Sequence, residues 1–285
     1  MQNTDNDKAF SSIDSVGQCL VDDERTTAFQ KAIKVKIKKN DTVLDLGTGS
    51  GIIALFAARS GAKKVFAIEL DPFIASIAKG IFQANQSLIK KLSLLIEDAR
   101  TVSFPKKMKF DVVISEMLTT GMVDEPQVRA INNLHAKGLV DASTRFIPER
   151  QDTFVALTHA EYSLFGVNTS MILHLWKWHN WRKLKLKMMS PSIPLNSIHF
   201  NEINKEKFTA ILEMVAQRSG RINCLYLKSK SILSKGIVVG DTEALNAPML
   251  IPLKKTKTIT MNQKVRVKVA YIFGGGYGNF KAEIL

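Results

Sequence analysis

Short apolar runs in the first half of the chain alternate with segments of helical length. Each run is four to six residues long, as expected for a buried strand, and the runs lie at residues 43–46, 64–69, 92–96 and 110–115. The segments between them are long enough to hold crossover helices, which is the order of elements in an α/β fold with a parallel sheet. We therefore predict an α/β domain over residues 41–147.

The pattern changes after Pro148, where hydrophobic positions begin to alternate with polar ones. The clearest alternating runs are Asp152–Thr158, Ile222–Leu227 and Lys264–Ala270. A period of two residues is typical of strands with one buried face, so residues 148–285 are predicted to form a mostly antiparallel β-domain. Ile203–Ser219 is the exception, because its apolar positions favour one amphipathic helix. A chain of 285 residues with 45% hydrophobic content can bury two such cores.

The end of the first apolar run carries the most specific signal, an aspartate followed by three alternating glycines. Asp45 is followed by Gly47, Gly49 and Gly51, after which apolar residues continue at helical spacing. Such glycines permit a tight turn and let backbone N–H groups approach a ligand, while the N-terminus of the following helix attracts negative charge. The loop predicts a nucleoside-cofactor site, and the alternative is a strand-to-helix turn without a ligand.

Carboxylates follow the next strands at the same predicted edge of the sheet. Glu69 ends the second run, eighteen positions after Gly51, where a carboxylate can accept hydrogen bonds from both ribose hydroxyls. Asp98 follows the third run, and its alternative role is that of a turn residue. A dinucleotide-binding enzyme has the same βαβ arrangement but spaces its glycines as Gly-x-Gly-x-x-Gly. The tighter loop resembles motif I of the S-adenosylmethionine-dependent methyltransferases with a Rossmann-like fold, which implies that cofactor and extends the site to Leu70 and Ala99.

Two further motifs resemble a narrower family, the protein arginine methyltransferases. Ser115-Glu116 is followed nine positions later by Glu125, as in that family's double-glutamate loop. Leu20–Phe29 resembles the family's amino-terminal helix, in which an aspartate precedes an arginine by three positions. The resemblance implies that Arg25 pairs with the carboxylate of the cofactor's methionine moiety and that Glu116 belongs to both the cofactor site and the catalytic site.

The same resemblance, which runs from Gln18 to about Pro148, implies the architecture of the chain. We expect a helical cap at residues 1–40, an S-adenosylmethionine-binding Rossmann-like domain at 41–147 and a β-barrel-like substrate domain at 148–285. The helix from Asp22 to Phe29 is expected to fold over the bound cofactor and exclude water. A homodimer is a further expectation.

A pair of glutamates suits the methylation of a guanidino nitrogen. A guanidinium is a planar cation that must approach the positively charged sulfonium of the cofactor, and these like charges repel. Glu116 and Glu125 would neutralise the guanidinium through bidentate hydrogen bonds and align its nitrogen with the methyl group. The alternative for Glu125 is an exposed acid beside Pro126 at the start of a helix.

The chain departs from the arginine methyltransferases at the loop whose histidine orients the glutamates and is a candidate proton acceptor. That family carries Thr-His-Trp there, whereas this chain has Asn246–Pro252 and no histidine after His199. Three functions remain: guanidino methylation on a protein, free arginine or a related small molecule; nucleic-acid methylation; and cofactor-binding regulation without turnover. Many base methyltransferases carry an Asn/Asp-Pro-Pro-aromatic motif where this chain has Ser115–Leu118, which favours the first function.

The net charge of +14 is concentrated in the second half of the chain. Residues 1–146 have 20 Lys and Arg against 17 Asp and Glu, whereas residues 147–285 have 20 against 9. A basic domain repels Arg-rich tails and attracts acidic proteins, anionic membranes or RNA. We therefore expect a guanidino acceptor on a small molecule, or on an acidic-flanked or RNA-bound protein. Part of the excess, at Lys34–Lys39 and Lys183–Lys187, also fits a solvated surface.

Tryptophans, histidines and cysteines give weaker signals. A mixed aromatic and basic cluster favours core packing of a β-domain over base stacking; its members are Trp176, Trp178, Trp181, His174, Lys177, His179 and Arg182. Their spacing predicts no metal site, and Cys19 and Cys224 are too few for a disulfide framework. No stretch has the pattern of a membrane span or a secretory leader, so a cytoplasmic location is expected.

Overall fold

The computed structural model describes residues 10–176, 184–242 and 246–285. Within them the helices are α1 (Ile13–Val21), α2 (Asp23–Lys36), α3 (Ile52–Arg59), α4 (Pro72–Ala84), α5 (Gln86–Ile89) and α6 (Gln127–Ala136). The strands of the first half are β1 (Thr42–Leu46), β2 (Lys64–Glu69), β3 (Leu92–Ile96), β4 (Val112–Ser115) and β5 (Arg145–Ile147). The strands of the second half are β6 (Arg150–Ala160), β7 (Ser163–Leu164), β8 (Val167–Asn168), β9 (Leu173–His174), β10 (Leu186–Met188), β11 (Ile193–His199), β12 (Lys207–Val215), β13 (Gly220–Ser234), β14 (Ile237–Val239), β15 (Met249–Ile259), β16 (Lys264–Ile272) and β17 (Lys281–Ile284).

Five parallel strands form the sheet of the first half, in the order β3-β2-β1-β4-β5. The central strand buries Val43, Leu44 and Leu46 completely, because both faces of the sheet are covered. The strand order reverses between β1 and β4, where Leu46 lies opposite Ser115. Ligands of open α/β sheets bind at the carboxyl ends beside such a reversal. The α/β Rossmann-like prediction is confirmed, and its topology places the glycine loop and Glu116 together.

Antiparallel sheets make up the second half, as the alternating pattern predicted. β6, β13 and β15 pair in one sheet, and β12, β16 and β17 pair in another. β16 alternates exposed residues with the buried residues Val265, Val267 and Val269. Those valines join the same core as Leu225 and Leu227 of β13, so the two sheets enclose one apolar interior.

The predicted amphipathic helix at Ile203–Ser219 is wrong. This segment contains β12, which pairs with β16 from Lys207 opposite Ile272 to Val215 opposite Lys264. Apolar residues spaced for a helix face also occur here, but Ile211 points outward and is 54% exposed. Pairing along the whole strand satisfies the backbone groups and buries alternate side chains against the core, and this outweighs the helical spacing.

The two halves share a core, and the loop between β4 and α6 lies where they meet. Met122 and Val123 of that loop pack in the same cluster as Leu227, Tyr271 and Phe273 of the β-domain. The loop after β4 is therefore fixed from both sides.

The predicted aromatic cluster is only partly described. Trp176 stacks on His174 with ring centroids 5.1 Å apart. The other members, Lys177, Trp178, His179, Trp181 and Arg182, lie outside the described residues. Across the described ranges, every helix is too short or too polar to cross a bilayer.

Candidate active site

One cavity opens at the carboxyl ends of the parallel strands. It is bounded by the glycine loop, the ends of β2 and β3, the segment after β4 and the first residues of the described chain. Eight residues predicted from the sequence line it: Gly47, Gly49, Glu69, Leu70, Asp98, Ala99, Glu116 and Glu125. The fold thus brings these eight predicted residues to one place, whereas Arg25, Asp45 and Gly51 lie outside the cavity lining.

The three glycines of the loop have different structural roles. Gly47, Gly49 and Gly51 all have left-handed φ angles, of +69°, +52° and +81°. A Cβ at Gly51 would lie 2.4 Å from a ring carbon of Phe82, so this glycine permits α3 to pack on α4. A Cβ at Gly49 would meet only Val16 of α1, at 3.5 Å. Gly49 is therefore the position at which the loop borders the space beneath α1.

Asp45 lies beneath the loop and outside the cavity lining. Its side chain is fully buried and accepts a hydrogen bond of 2.6 Å from the Thr48 hydroxyl. Its other carboxyl oxygen, Oδ1, has no partner among the described residues. Burial raises the pKa of Asp45 to about 7, because the charged form is poorly solvated there. Asp45 therefore fixes the turn, and a direct cofactor contact by it remains a prediction.

Asp45→Asn is expected to weaken the pH dependence of folding stability. The folded state keeps the Asp45 proton that the unfolded chain releases above about pH 4, so stability falls as pH rises toward about 7. Between about pH 5 and about pH 7.5 the wild type should lose roughly 2 kcal/mol more than the variant, which keeps the Thr48 hydrogen bond. Urea unfolding at both pH values measures this, and equal losses would contradict a buried neutral Asp45.

Glu69 has the geometry expected of a ribose ligand. Its Oε2 accepts the Gly49 N–H at 2.9 Å, and its Oε1 accepts the Asp71 N–H at 3.1 Å and the Ser11 hydroxyl at 3.4 Å. Burial raises the pKa of Glu69, although these N–H donors oppose the rise. A carboxylate has about four acceptor sites and these three bonds leave about one of them free, so Glu69 can hold the loop and still accept from a ribose hydroxyl.

Asp98 is a turn residue that also lines the cavity, and a cofactor contact by it stays a prediction. Its Oδ1 accepts the backbone N–H of Arg100 at 2.8 Å, as a turn residue does. The Arg100 guanidinium also pairs with Asp98 at 2.7 Å. Asp98 is only slightly exposed and borders the cavity together with Ala99. The turn and the cofactor contact are therefore compatible.

Arg25 approaches the double-glutamate loop from beneath the cavity. It is fully buried, and its Nε donates to the Glu116 carboxylate while an Nη donates to the Glu116 carbonyl oxygen at 2.9 Å. Asp22 caps α2 by accepting the Arg25 backbone N–H at 3.0 Å, which starts the helix where the side chain can reach Glu116. The structure thus shows an Arg25–Glu116 pair, and the expected pairing of Arg25 with a cofactor carboxylate remains a prediction.

Glu125 is buried, so its alternative reading as an exposed acid is wrong. Its exposed fraction is 6%, and its Oε2 has no partner among the described residues. Burial raises the pKa of Glu125 well above its usual range, while the positive charge of Arg25 opposes the rise. A buried carboxyl oxygen without a partner is costly unless a ligand satisfies it. Because Glu125 lines the cavity, a cationic hydrogen-bond donor placed there would fit it.

Sequence reasoning missed the contacts through which the β-domain holds this loop. Among the described residues, four hydrogen bonds that involve side chains connect them: Gly121 N–H to Ser229 Oγ (2.8 Å), Thr120 Oγ1 to the Ala247 oxygen (2.6 Å), Gln151 Nε2 to the Thr119 oxygen (2.8 Å) and Tyr271 Oη to the Gly121 oxygen (3.1 Å). The available signal was a polar residue at an inward position of a strand. Ser229 and Gln151 are such residues, and both are buried.

The amino-terminal helices both border the cavity. Ser11, Ser15, Val16 and Cys19 of α1 and the turn before it line it, as does Thr26 of α2. The helix expected to fold over the cofactor, from Asp22 to Phe29, is the start of α2 and supplies Arg25 to the loop, and its closure over bound cofactor stays a prediction. No three His, Cys, Asp or Glu side chains among the described residues converge as a metal site would require.

Comparisons with known proteins find methyltransferases among the similar proteins, in agreement with a cofactor cavity at this edge of the sheet. A family model described as "Ribosomal protein L11 methyltransferase (PrmA)" matches residues 23–180. An uncharacterized protein of Methanocaldococcus jannaschii is 31% identical over 93% of this chain and 94% of its own length. An arginine N(omega)-methyltransferase of Streptomyces achromogenes is 37% identical over 39% of this chain and 32% of its own length. The structure of the Trypanosoma brucei PRMT1 enzyme–prozyme complex with AdoHcy aligns with a TM-score of 0.75 at 16% identity, covering 97% of this chain and 98% of that chain.

Proposed function

Because the chain belongs to the methyltransferase family described as ribosomal protein L11 methyltransferase and is similar to an arginine N(omega)-methyltransferase over part of its length, we propose that it methylates a guanidino nitrogen. The observation that carries the proposal is Glu125, a buried carboxyl with an unpartnered oxygen, in the cavity that also contains the glycine loop. A guanidinium offers that oxygen the charged donor it lacks. The domain boundaries near residues 40 and 147 remain part of the proposal.

The residues of the cavity fit the cofactor. S-Adenosylmethionine supplies an electrophilic methyl group on a sulfonium. Gly49 would border its nucleoside, Glu69 would accept from a ribose hydroxyl, and Leu70, Asp98 and Ala99 would border its base. These assignments are supported by the shared cavity and by the remaining acceptor site of Glu69.

Glu116 and Glu125 would act on the acceptor. Glu125 would bind the guanidinium through its unpartnered oxygen, while the Glu116 carboxylate would interact with both Arg25 and the acceptor. Two carboxylates offset the repulsion between the guanidinium and the sulfonium and fix the attacking nitrogen, and both effects lower the barrier in a water-poor site. The same carboxylates disfavour an approach by phosphate, which supports a guanidino acceptor over RNA as the methylated molecule.

The acceptor class is the finer part of the proposal. The second half of the chain carries 20 Lys and Arg against 9 Asp and Glu. Such a field slows the capture of a long Arg-rich tail and favours free arginine, a related small molecule, or an arginine in an acidic-flanked or RNA-bound protein.

Transfer of label from methyl-labelled cofactor tests the proposal. The acceptors are free arginine, an Arg peptide with acidic flanks, a Gly-Arg-rich peptide of equal length, and RNA. We expect label on arginine or the acidic-flanked peptide, with the advantage of acidic flanks shrinking as salt rises. Label on RNA alone would make the chain a nucleic-acid methyltransferase, and cofactor binding without any transfer would make it a regulatory module. Equal labelling of both peptides would overturn only the acceptor class.

The amino-terminal helices are expected to become more protected when cofactor binds. Val16 and Cys19 of α1 line the cavity, so a bound cofactor would add contacts to α1 and to the start of α2. Backbone hydrogen exchange over residues 13–30 should slow when S-adenosylhomocysteine is added. Protection of the glycine loop without protection of these residues would contradict this expectation.

Assembly and location complete the proposal. A homodimer is supported by the Trypanosoma brucei PRMT1 enzyme–prozyme structure, a heterotetrameric complex of similar fold. A reducing, cytoplasmic location is supported by Cys19 and Cys224, which are both free thiols. The sedimentation mass of the full chain tests the dimer, since a monomer at micromolar concentration would contradict it.

A further inference from the structure

A cluster of titratable side chains lies behind Glu125, on the side of the β-domain. Tyr277 Oη and His174 Nε2 are 2.9 Å apart. The carboxyl of Asp124, the residue preceding Glu125, is close enough to Tyr277 to raise the pKa of its phenol. Asp124 is buried, and its Oδ1 has no partner among the described residues. His174 and Tyr277 thus form a hydrogen-bonded pair, and Asp124 connects this pair to the loop that carries Glu125.

The turn that carries Tyr277 is attached directly to the double-glutamate loop. Gly274 and Gly276 donate backbone hydrogen bonds of 2.9 Å to the Met122 and Val123 oxygens. A Cβ at Gly274 would lie 2.6 Å from Cα of Pro126, so only glycine permits this approach. Tyr277 is therefore held in a fixed position relative to Glu125, although about 150 residues separate them in the sequence.

Strand pairing brings His174 to the same place. In β9 this histidine lies opposite Met249 of β15, and the Leu175 N–H donates to the Pro248 oxygen at 2.7 Å. Ala247, in the same segment, accepts the hydrogen bond from Thr120 of the double-glutamate loop. Asn246–Pro252 has no histidine of its own, and β9 supplies one beside it.

The protonation states of His174 and Tyr277 allow the cluster to accept a proton. Burial lowers the pKa of His174, against the effect of Asp124, so its imidazole is neutral near pH 7. Burial and the charges of Asp124 and Glu125 raise the pKa of Tyr277, which stays a neutral phenol. Among the described residues, Tyr277 on the facing turn and Asp124 on the loop are the titratable groups that act on His174.

We propose that Tyr277 and His174 relay the proton released by the acceptor from the acidic corner of Asp124 and Glu125 toward the β-domain. The proposal rests on guanidino methylation. When the guanidino nitrogen gains a methyl group, one of its N–H bonds breaks and a carboxylate of the corner takes the proton. Tyr277 then accepts this proton on its oxygen as its own hydroxyl proton passes to His174 Nε2. The carboxylate is restored, and the imidazolium carries the proton away from the sulfonium.

His174→Gln, Tyr277→Phe and the control His199→Gln test the relay. Glutamine can keep a hydrogen bond to Tyr277 but cannot take a proton, and phenylalanine keeps the ring without the hydroxyl. His199 is an exposed histidine of β11. We expect the first two variants to bind cofactor normally but to lose about tenfold or more in kcat, while the control is unchanged.

The pH profile of kcat separates a relay from a structural role. In the wild type kcat should fall at acid pH, at values below the usual imidazole range because the pKa of His174 is lowered, since protonated His174 cannot accept a proton. A bound guanidinium lowers the pKa of Glu125, so Glu125 does not titrate in the pH range in which His174 does. His174→Gln should therefore reduce the fall of kcat at acid pH. Unchanged kcat in both variants, or a persistent acid limb in His174→Gln, would overturn the relay alone. A wild type that binds cofactor but methylates no guanidino acceptor would overturn the proposed function and the relay with it.

Discussion

Glu125→Gln is expected to lower methyl transfer about 100-fold or more while leaving cofactor affinity unchanged. The substitution preserves the shape of a side chain that is 6% exposed, but it removes the negative charge facing the acceptor. A guanidinium would then approach the sulfonium with one carboxylate fewer to offset the repulsion between the two cations. The loss should appear in kcat, because charge repulsion is greatest when the two cations are in contact.

The controls for this prediction are two other glutamates. Glu149→Gln removes a half-exposed carboxylate, paired with Lys36 at 2.7 Å, and should leave turnover unchanged. Glu116→Gln should also lower turnover about 100-fold or more, but it removes the partner of the fully buried Arg25 and therefore alters stability as well. Glu125→Gln is the cleaner test. Single-turnover rates and calorimetric cofactor affinity measure both effects, and full activity of Glu125→Gln would refute the clamp.

Gly49→Val is expected to abolish cofactor binding. Gly49 has a φ of +52°, and the Cβ position lies 3.5 Å from Val16, so a branched side chain would fill the space between the loop and α1. The Gly49 N–H also holds Glu69 at 2.9 Å, and a distorted loop would release that carboxylate. Calorimetric titration with S-adenosylhomocysteine measures the loss. Equal affinity in wild type and variant would place the nucleoside elsewhere.

Gly138→Val is the matched control for backbone strain. Gly138 also has a left-handed φ, of +63°, but its Cβ position meets no atom within 4 Å. Both substitutions impose the same kind of strain on the backbone, yet only Gly49→Val places atoms in the cavity. Gly138→Val should therefore lose stability without losing affinity.

Glu69→Ala should cost about 1–3 kcal/mol of cofactor-binding free energy, because a ribose hydroxyl would be left unpaired.

Local pattern explains why so much of the cofactor half was predictable. The second and third apolar runs coincide with β2 and β3 residue for residue. In a parallel sheet the end of each strand lies at one edge, so the order of the runs already places Glu69 and Asp98 beside the glycine loop. The distance from Glu116 to Glu125 along the chain is also local, and both residues line the cavity.

Strand pairing explains what local pattern left undecided. Phe208, Ile211, Leu212 and Val215 have helical spacing, but the alternate positions of the same segment face the core in β12. A short apolar segment fits both periods, and the partner strand β16 decides between them. The sequence left the burial of Glu125 equally undecided, because an acid before Pro126 is also typical of an exposed helix start. In the structure the turn at Gly274 packs against Glu125 and Pro126.

The sequence by itself determined the parallel sheet and the glycine loop, because each depends on residues that are neighbours along the chain or on a simple period, and the two glutamates were identified through their resemblance to a family motif. Only the tertiary structure decided that Arg25 pairs with Glu116, that α1 covers the cavity, and that His174 and Tyr277 meet behind Asp124. His174 and Tyr277 are 103 positions apart in the chain. Their meeting depends on strand pairing and on a glycine-permitted close approach between segments, and neither leaves a periodic signal in the sequence.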